Sequence, residues 1–411
     1  MAAAPHRDIA TGLPSRNAGA GLLPAAAGAD EPFGLYVHWP FCLSKCPYCD
    51  FNSHVRAAID QKRWRQAYFE ELEHTAALIP GRRLGSIFFG GGTPSLMEPE
   101  TTGAIITRAS ALWPAEPGLE ITLEANPTSS EAARFEAFRA AGINRLSLGV
   151  QALNDEDLGF LGRGHDRSEA VRALECAQRR FSRVSLDLIY ARPGQSVRAW
   201  RKELREAVNF GTSHISLYQL TIERGTAFFG AFNRGAFVLP GEELAAGLYE
   251  TTIETLGAAG LFAYEISNHA RPGEECRHNL LYWRYGEYAG IGPGAHGRLR
   301  VANEAVAIRK RRRPEDWLLA VESEGHGTEE QAPLSRAERI DEMVMMGLRL
   351  VEGISRERFR RLAGGDFAPI LGAGKLARLI SGGFLSLDEE RLAATAAGRR
   401  RLNAVLLELL G

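Results

Sequence analysis

At 411 residues the chain is long enough for two or three domains and a sizeable buried core. Its 49 Lys and Arg against 50 Asp and Glu leave a formal net charge of −1, so nothing in the bulk charge asks for nucleic acid or a phospholipid surface as partner. With 45% hydrophobic and 24% charged residues, and no apolar run of about 18 or more, the composition reads as a soluble protein without a transmembrane segment.

Residues 1 to 31 are rich in Ala, Gly and Pro, lack hydrophobic periodicity and read as a disordered extension. Arg7, Asp8, Arg16 and Asp30 within it suit neither a signal peptide nor a transit peptide, so a cytoplasmic location is expected. From Phe33 onward, short β-branched and aliphatic runs alternate with amphipathic stretches of helical length. The pattern predicts strands at Leu35 to His38, Ser86 to Gly90, Glu120 to Glu124, Arg145 to Val150, Val184 to Ile189 and His214 to Gln219. Helices are predicted at about 61 to 79, 99 to 113, 129 to 140, 166 to 180 and 197 to 209. Six βα units give an α/β fold, an incomplete TIM-like barrel over residues 32 to 240, with its chemistry where strands end and loops begin.

Residues 241 to 332 read as a less regular, barrel-completing extension, in which the five cations from Arg309 to Arg313 are expected to form a solvated loop. From residue 333 to 411 the register changes to short helices punctuated by Gly364, Gly365, Gly372 and Gly374. The run Phe384 to Leu387 and a final helix follow, which suggests a small helical or winged-helix domain. Its acidic and basic residues are interspersed, without the clustered footprint of DNA binding.

The five cysteines are Cys42, Cys46, Cys49, Cys176 and Cys276, an odd set with three crowded into one loop. That excludes a disulfide framework and points to metal binding in a reducing compartment. The spacing Cys42-x3-Cys46-x2-Cys49 can aim three thiolates at one centre. Without a fourth cysteine nearby they suit an iron–sulfur cluster with one open iron better than zinc, which His38 or His54 would have to complete. Gly90-Gly91-Gly92-Thr93-Pro94-Ser95 follows an apolar strand, and its glycines let backbone amides approach a ligand closely. Glu124, Gln151, Arg163 and Asp187 stand at further strand or loop ends, where carboxylates and amides can meet hydroxyl or ammonium groups.

The cysteine loop, its aromatic residue before the last cysteine and the Gly-Gly-Thr-Pro turn resemble the radical S-adenosylmethionine (SAM) superfamily. The resemblance implies a 4Fe-4S cluster on Cys42, Cys46 and Cys49, whose open iron chelates the methionyl group of SAM. From Leu35 onward the chain also resembles the oxygen-independent coproporphyrinogen III dehydrogenase group. That resemblance rests on Tyr36-x-His38-x-Pro40-Phe41, the loop Arg192-Pro193-Gly194-Gln195 and the closing Gly383-Phe384-Leu385 to Asn403 pattern. It implies that Tyr36, Gly91 and Glu124 bind one SAM and that Tyr48, Gly92, Thr93, Gln151, Arg163 and Asp187 touch a second.

Two departures bear on the second SAM. A fourth cysteine two residues after the third is replaced by Phe51. The dehydrogenase's Asn-Phe-Gln-Gly-Tyr segment reads Asn279-Leu280-Leu281-Tyr282-Trp283 here, without its amide. Both departures are signatures of the sister family of haem chaperones (HemW), whose His-Asn-x-x-Tyr-Trp motif appears as His278 to Trp283, flanked by Tyr264 to Asn268 and Gly292 to His296. This resemblance implies haem as bound cargo, with His278 as its ligand and His38, His269, His296 and Cys276 as rivals. It implies a haem-requiring client and an electron donor as partners, leaves peripheral membrane contact open and assigns no catalytic residue. The competing expectation is the dehydrogenase itself, an oxidoreductase of porphyrin biosynthesis.

Overall fold

The computed structural model describes residues 31 to 411, so the extension expected at residues 1 to 31 lies, Glu31 apart, outside the described residues. In chain order the first strands are β1 (Phe33–Trp39), β2 (Phe41–Cys42), β3 (His54–Val55), β4 (Leu84–Gly91), β5 (Ala115–Ala125), β6 (Arg145–Gln151), β7 (Arg183–Tyr190) and β8 (His214–Gln219). Between them run helices α1 (Gln61–Leu78), α2 (Pro99–Leu112), α3 (Ser129–Ala132), α4 (Phe135–Ala140), α5 (Asp155–Phe160), α6 (Arg167–Gln178) and α7 (Val197–Asn209). The six predicted strands are present and pair in parallel in the order β1-β4-β5-β6-β7-β8, the incomplete barrel expected.

The period-two alternation of each strand separates two environments. Leu35, Val37 and Trp39 of β1 join the apolar core beneath the helices, while Tyr36 and His38 face the barrel interior. Two boundaries differ from the sequence reading. The stretch β5 adds before Glu120 carries Pro117 and Gly118 and is largely exposed, so it has no apolar pattern to read. The single helix expected at 129 to 140 is broken into α3 and α4, with Glu131 turned inward onto Ser95 and the backbone N–H of Asn126.

The segment expected to be less regular is instead well ordered. It holds α8 (Ala227–Asn233), α9 (Glu242–Ala258), β9 (Phe262–Ala263), β10 (Asn268–Ala270), α10 (Arg277–Trp283), β11 (Tyr288–Ile291), β12 (His296–Val301), β13 (Glu304–Lys310), α11 (Pro314–Glu324) and β14 (Thr328–Pro333). β11 adds to the free edge of β1 in parallel, β12, β13 and β14 follow antiparallel, and β10 and β9 extend the other edge beyond β8. These strands are short and interleaved with charge, so their sequence looks like loop. The cationic run is corrected with them. Arg309 and Lys310 complete β13, and Lys310 is 2% exposed with its ammonium 3.0 Å from the buried carboxylate of Glu71 on α1.

One apolar core runs from Phe33 to Val321, so the extension shares the barrel's interior. A second, from Ile340 to Leu410, lies within α12 (Arg336–Gly347), β15 (Ile354–Ser355), α13 (Arg356–Ala363), α14 (Phe367–Leu371), α15 (Ala373–Ser381), β16 (Leu385–Leu387), β17 (Arg391–Ala394), α16 (Ala396–Arg400) and α17 (Leu402–Leu410). Its sheet, β15-β17-β16, is antiparallel and flanked by the helices.

Candidate functional site

A cavity of ≈ 190 Å³ opens at the C-terminal ends of the barrel strands. Its wall brings together Cys42, Cys46, Tyr48, Cys49, Gly91, Gly92, Thr93, Glu124, Gln151, Arg163 and Asp187, so the sequence-predicted residues gather in one place except Tyr36 and His278. The cysteine loop leaves β2 and returns through β3, which pair as Phe41 with His54 and Cys42 with Val55. Inside the loop the N–H of Cys49 donates to the carbonyl of Cys46 at 3.1 Å.

The glycine turn is laced to that loop. Gly92 N–H donates to Trp39 O at 2.7 Å and Thr93 N–H to Phe41 O at 2.8 Å. A Cβ on Gly92 would stand 2.7 Å from Phe41 O, so glycine is required by the close approach of two backbones. The amides of Gly92 and Thr93 are therefore spent inside the protein. The turn's carbonyl oxygens, each able to accept more than one hydrogen bond, suit an ammonium better than a carboxylate. Thr93 also donates its hydroxyl to Cys42 Sγ at 3.4 Å.

Arg163 is the hub of the opposite wall. Its Nη1 lies 3.4 Å from both Cys46 Sγ and the Tyr48 hydroxyl, and its Nη2 donates to Asn126 Oδ1 at 2.5 Å and Gly149 O at 2.8 Å. Gln151 has φ +72°, a left-handed conformation unusual for a side-chain-bearing residue, and follows a register shift between β6 and β7. Its amide fills the space above Gly149, where a Cβ would be 2.8 Å from Nε2. Glu124 accepts from Gly91 N–H at 3.3 Å, and Asp187 accepts from Ser147 and Ser185 at 2.8 and 2.9 Å. Asn126, Glu131, Ser147 and His165 also line the cavity and went unrecognised in the sequence. Proximity of Asn126 to the Leu-Glu-Ala of Glu124, and of His165 to Arg163, was the only signal.

Burial pushes the Cys42 thiol up to about 11, against the Thr93 hydrogen bond, and raises Cys49 as well. Such thiols stay protonated near neutrality until a metal replaces the proton. Among the described residues no group of three His, Cys, Asp or Glu is placed to hold one ion. The ring of His38 is engaged on both sides, by the Tyr36 hydroxyl at 3.0 Å and Asn52 O at 3.0 Å, and His54 meets Asn52 Oδ1 at 3.2 Å. A tetrahedral zinc therefore lacks its fourth ligand, whereas a cluster, taking one thiolate at each of three separate irons, fits three sulfurs spread over one wall.

Residues 36–207 match the Radical SAM superfamily, and residues 334–401 match the HemN C-terminal domain. The protein named heme chaperone HemW of Escherichia coli is 36% identical, over 91% of this chain and 97% of its own. The chain belongs to the radical SAM superfamily, on its HemW branch. A bovine protein named radical S-adenosyl methionine domain-containing protein 1, mitochondrial, is 39% identical over 93% of this chain and 88% of its own. Among solved structures, coproporphyrinogen III oxidase (HemN) from E. coli, described as a radical SAM enzyme, superposes with a TM-score of 0.77 at 23% identity, covering 93% of this chain and 90% of that one. That likeness shows the shared radical SAM barrel. Superfamily membership implies a 4Fe-4S cluster and SAM, and the cavity has the donors for both.

Two expected contacts fall elsewhere. Tyr36 stands outside the cavity wall, its ring against Gly90 and its hydroxyl on His38. His278, the expected haem ligand, is fully buried on α10, with Nδ1 2.7 Å from Ser86 Oγ and Nε2 2.9 Å from the Tyr282 hydroxyl. Both ring nitrogens are engaged, Nδ1 bracing α10 against β4 and Nε2 meeting Tyr282 within α10 itself. Two of its rivals are buried as well. His269 and Cys276 are buried, and burial pushes the Cys276 thiol up to about 12.

Proposed function

We propose that this protein is a radical-SAM-type haem chaperone, which binds haem and delivers it to a haem-requiring client. The reading is carried by the near full-length correspondence with proteins named haem chaperone, in a chain with Phe51 where the dehydrogenase group has its fourth cysteine. Cys42, Cys46 and Cys49 hold the 4Fe-4S cluster, and the cavity wall holds SAM. When bound, these groups supply reductive cleavage of a sulfonium, a one-electron chemistry that the polypeptide only positions.

The chain's own residues divide the work. Carbonyls of the Gly91–Thr93 turn and the carboxylate of Glu124 receive an ammonium. Asp187 and Gln151 receive hydroxyls. Arg163 offsets thiolate charge at Cys46 while fixing Tyr48 and Asn126. No described helix is long and apolar enough to cross a membrane; we place the chaperone in the cytoplasm, with an electron donor and the client as its protein partners.

The test uses anaerobically reconstituted protein. Haem should bind stoichiometrically and pass to an apo-haemoprotein, and coproporphyrinogen with SAM and reductant should remain unconverted. Formation of protoporphyrinogen at the rate of a genuine dehydrogenase, or absence of haem binding, overturns the reading.

A further inference from the structure

The rim beside the cysteine loop presents exposed aromatic and aliphatic side chains to solvent. Phe228 of α8 donates its backbone N–H to Pro47 O at 2.9 Å, tying α8 to that loop. Its ring lies 6.3 Å from Tyr48, 4.8 Å from Phe160 and 5.1 Å from Phe237, and Phe237 lies 5.9 Å from Phe232. The row of rings runs outward. Tyr48 and Phe228 are buried with Cys46 and Cys49 packed against their cluster, whereas Phe232 is 39% and Val238 76% exposed. Val238 is the most exposed large hydrophobic side chain among the described residues.

Two exposed cations bracket α8 in the chain, Arg224 ahead of it and Arg234 at its C-terminal end. Apolar side chains left open in this way mark a surface that something covers. The segment from Ala227 to Gly241 contains no His, Cys, Met or Tyr, so it offers no side chain suited to ligating an iron. Aromatic faces favour a flat partner, and guanidinium groups favour carboxylates.

We propose that the lip of α8 and the loop after it is the docking site for the porphyrin macrocycle, recognised by its flat apolar ring and its two carboxylates rather than by its iron. The proposal rests on the haem-chaperone reading and supplies the surface that buried His278 does not. It puts the cargo directly beside the cluster loop, whose Cys46 and Cys49 pack against the same aromatic cluster.

Full-length reconstituted protein is titrated with haemin and, separately, with metal-free protoporphyrin, using tryptophan quenching. The variants are Phe232→Asp with Val238→Asp, Arg234→Glu, and His278→Ala; cluster absorbance monitors the fold. Metal-free protoporphyrin should compete with haemin at an affinity within about tenfold, and the double lip variant should weaken both by about tenfold or more while cluster absorbance holds. Arg234→Glu should weaken both and reduce the salt dependence of binding. If the wild type binds haemin but the lip variants bind it unchanged, or if protoporphyrin fails to compete, the lip is overturned and the chaperone reading stands. If the wild type binds neither porphyrin, the chaperone reading falls and the lip with it. A double variant that turns an oligomer into a monomer without altering porphyrin affinity assigns the lip to a second copy of the chain and also overturns the proposal.

Discussion

At Gly92 a single hydrogen atom decides whether two loops can meet. Alanine there puts a methyl group 2.7 Å from Phe41 O and 2.9 Å from Phe41 N, both backbone atoms that cannot rotate away. Gly92→Ala should therefore part the glycine turn from the cysteine loop, costing about 1–3 kcal/mol and lowering iron and sulfide content after reconstitution. Full cluster loading in that variant would contradict the proposed packing. Gly149→Ala is a gentler case, because its methyl group meets the terminal amide of Gln151 rather than backbone. Here the cluster should load normally while SAM affinity, followed by equilibrium dialysis, drops about tenfold. The cysteine triplet and the glycine turn were legible in the sequence because their chemistry demands rare residues at fixed spacing. Asn126, Ser147 and His165 were not, since small polar residues at strand ends become neighbours only once the sheet has ordered the loops. At His278 the motif is visible in the sequence but its burial is not, because a motif carries no information about burial.

Helix α10 is tied to the barrel strands β4 and β5, and its supports are polar. Glu120 of β5 accepts from the N–H of Arg277 at 2.8 Å and of His278 at 3.3 Å, as a carboxylate should at a helix N-terminus, and lies 2.9 Å from Arg183 and 3.7 Å from Arg145. His278→Ala strips Ser86 and Tyr282 of their partner and leaves a cavity, so it should cost about 2–4 kcal/mol in denaturant unfolding while leaving haem affinity unchanged. Loss of haem binding with unchanged stability would restore His278 as ligand. Burial also lowers the imidazole of His278 to about 3 and of His269 to about 4; at His165, burial together with the Arg163 charge brings it to about 4. Their folded values lie below the unfolded one, so protons are taken up on unfolding between about pH 4 and 6.5. Stability from these groups is intact above about 6.5 and is lost as pH falls toward 4, by about 1.4 kcal/mol per pH unit for each. Urea midpoints measured at pH 7.5, 6 and 5 should fall in that order, and His278→Asn should flatten the slope.

The whole molecule depends on a clamp that links its first helix to its last barrel strands. Glu71 on α1 is fully buried; its Oε1 meets the Lys310 ammonium at 3.0 Å and Gly327 N–H at 2.8 Å, and its Oε2 meets Gly292 N–H at 2.7 Å and Trp317 Nε1 at 2.9 Å. Four groups from the extension thus converge on one carboxylate, and all lie more than 200 residues along the chain from it. Composition and periodicity reveal no such link, which is why the cationic run reads as solvated loop until β13 is seen beside α1. A buried ion pair contributes modestly as a pair, but removing one member strands the other charge in the interior. Lys310→Met should therefore destabilise the fold by about 3–5 kcal/mol, whereas Lys310→Met combined with Glu71→Gln should recover part of that loss, because glutamine can keep hydrogen bonds without a stranded charge. The comparison is made by denaturant unfolding of the four proteins in the cycle. A double variant as unstable as the sum of the two singles would mean that Lys310 and Glu71 stabilise the barrel independently, and the clamp would be no more than two adjacent side chains.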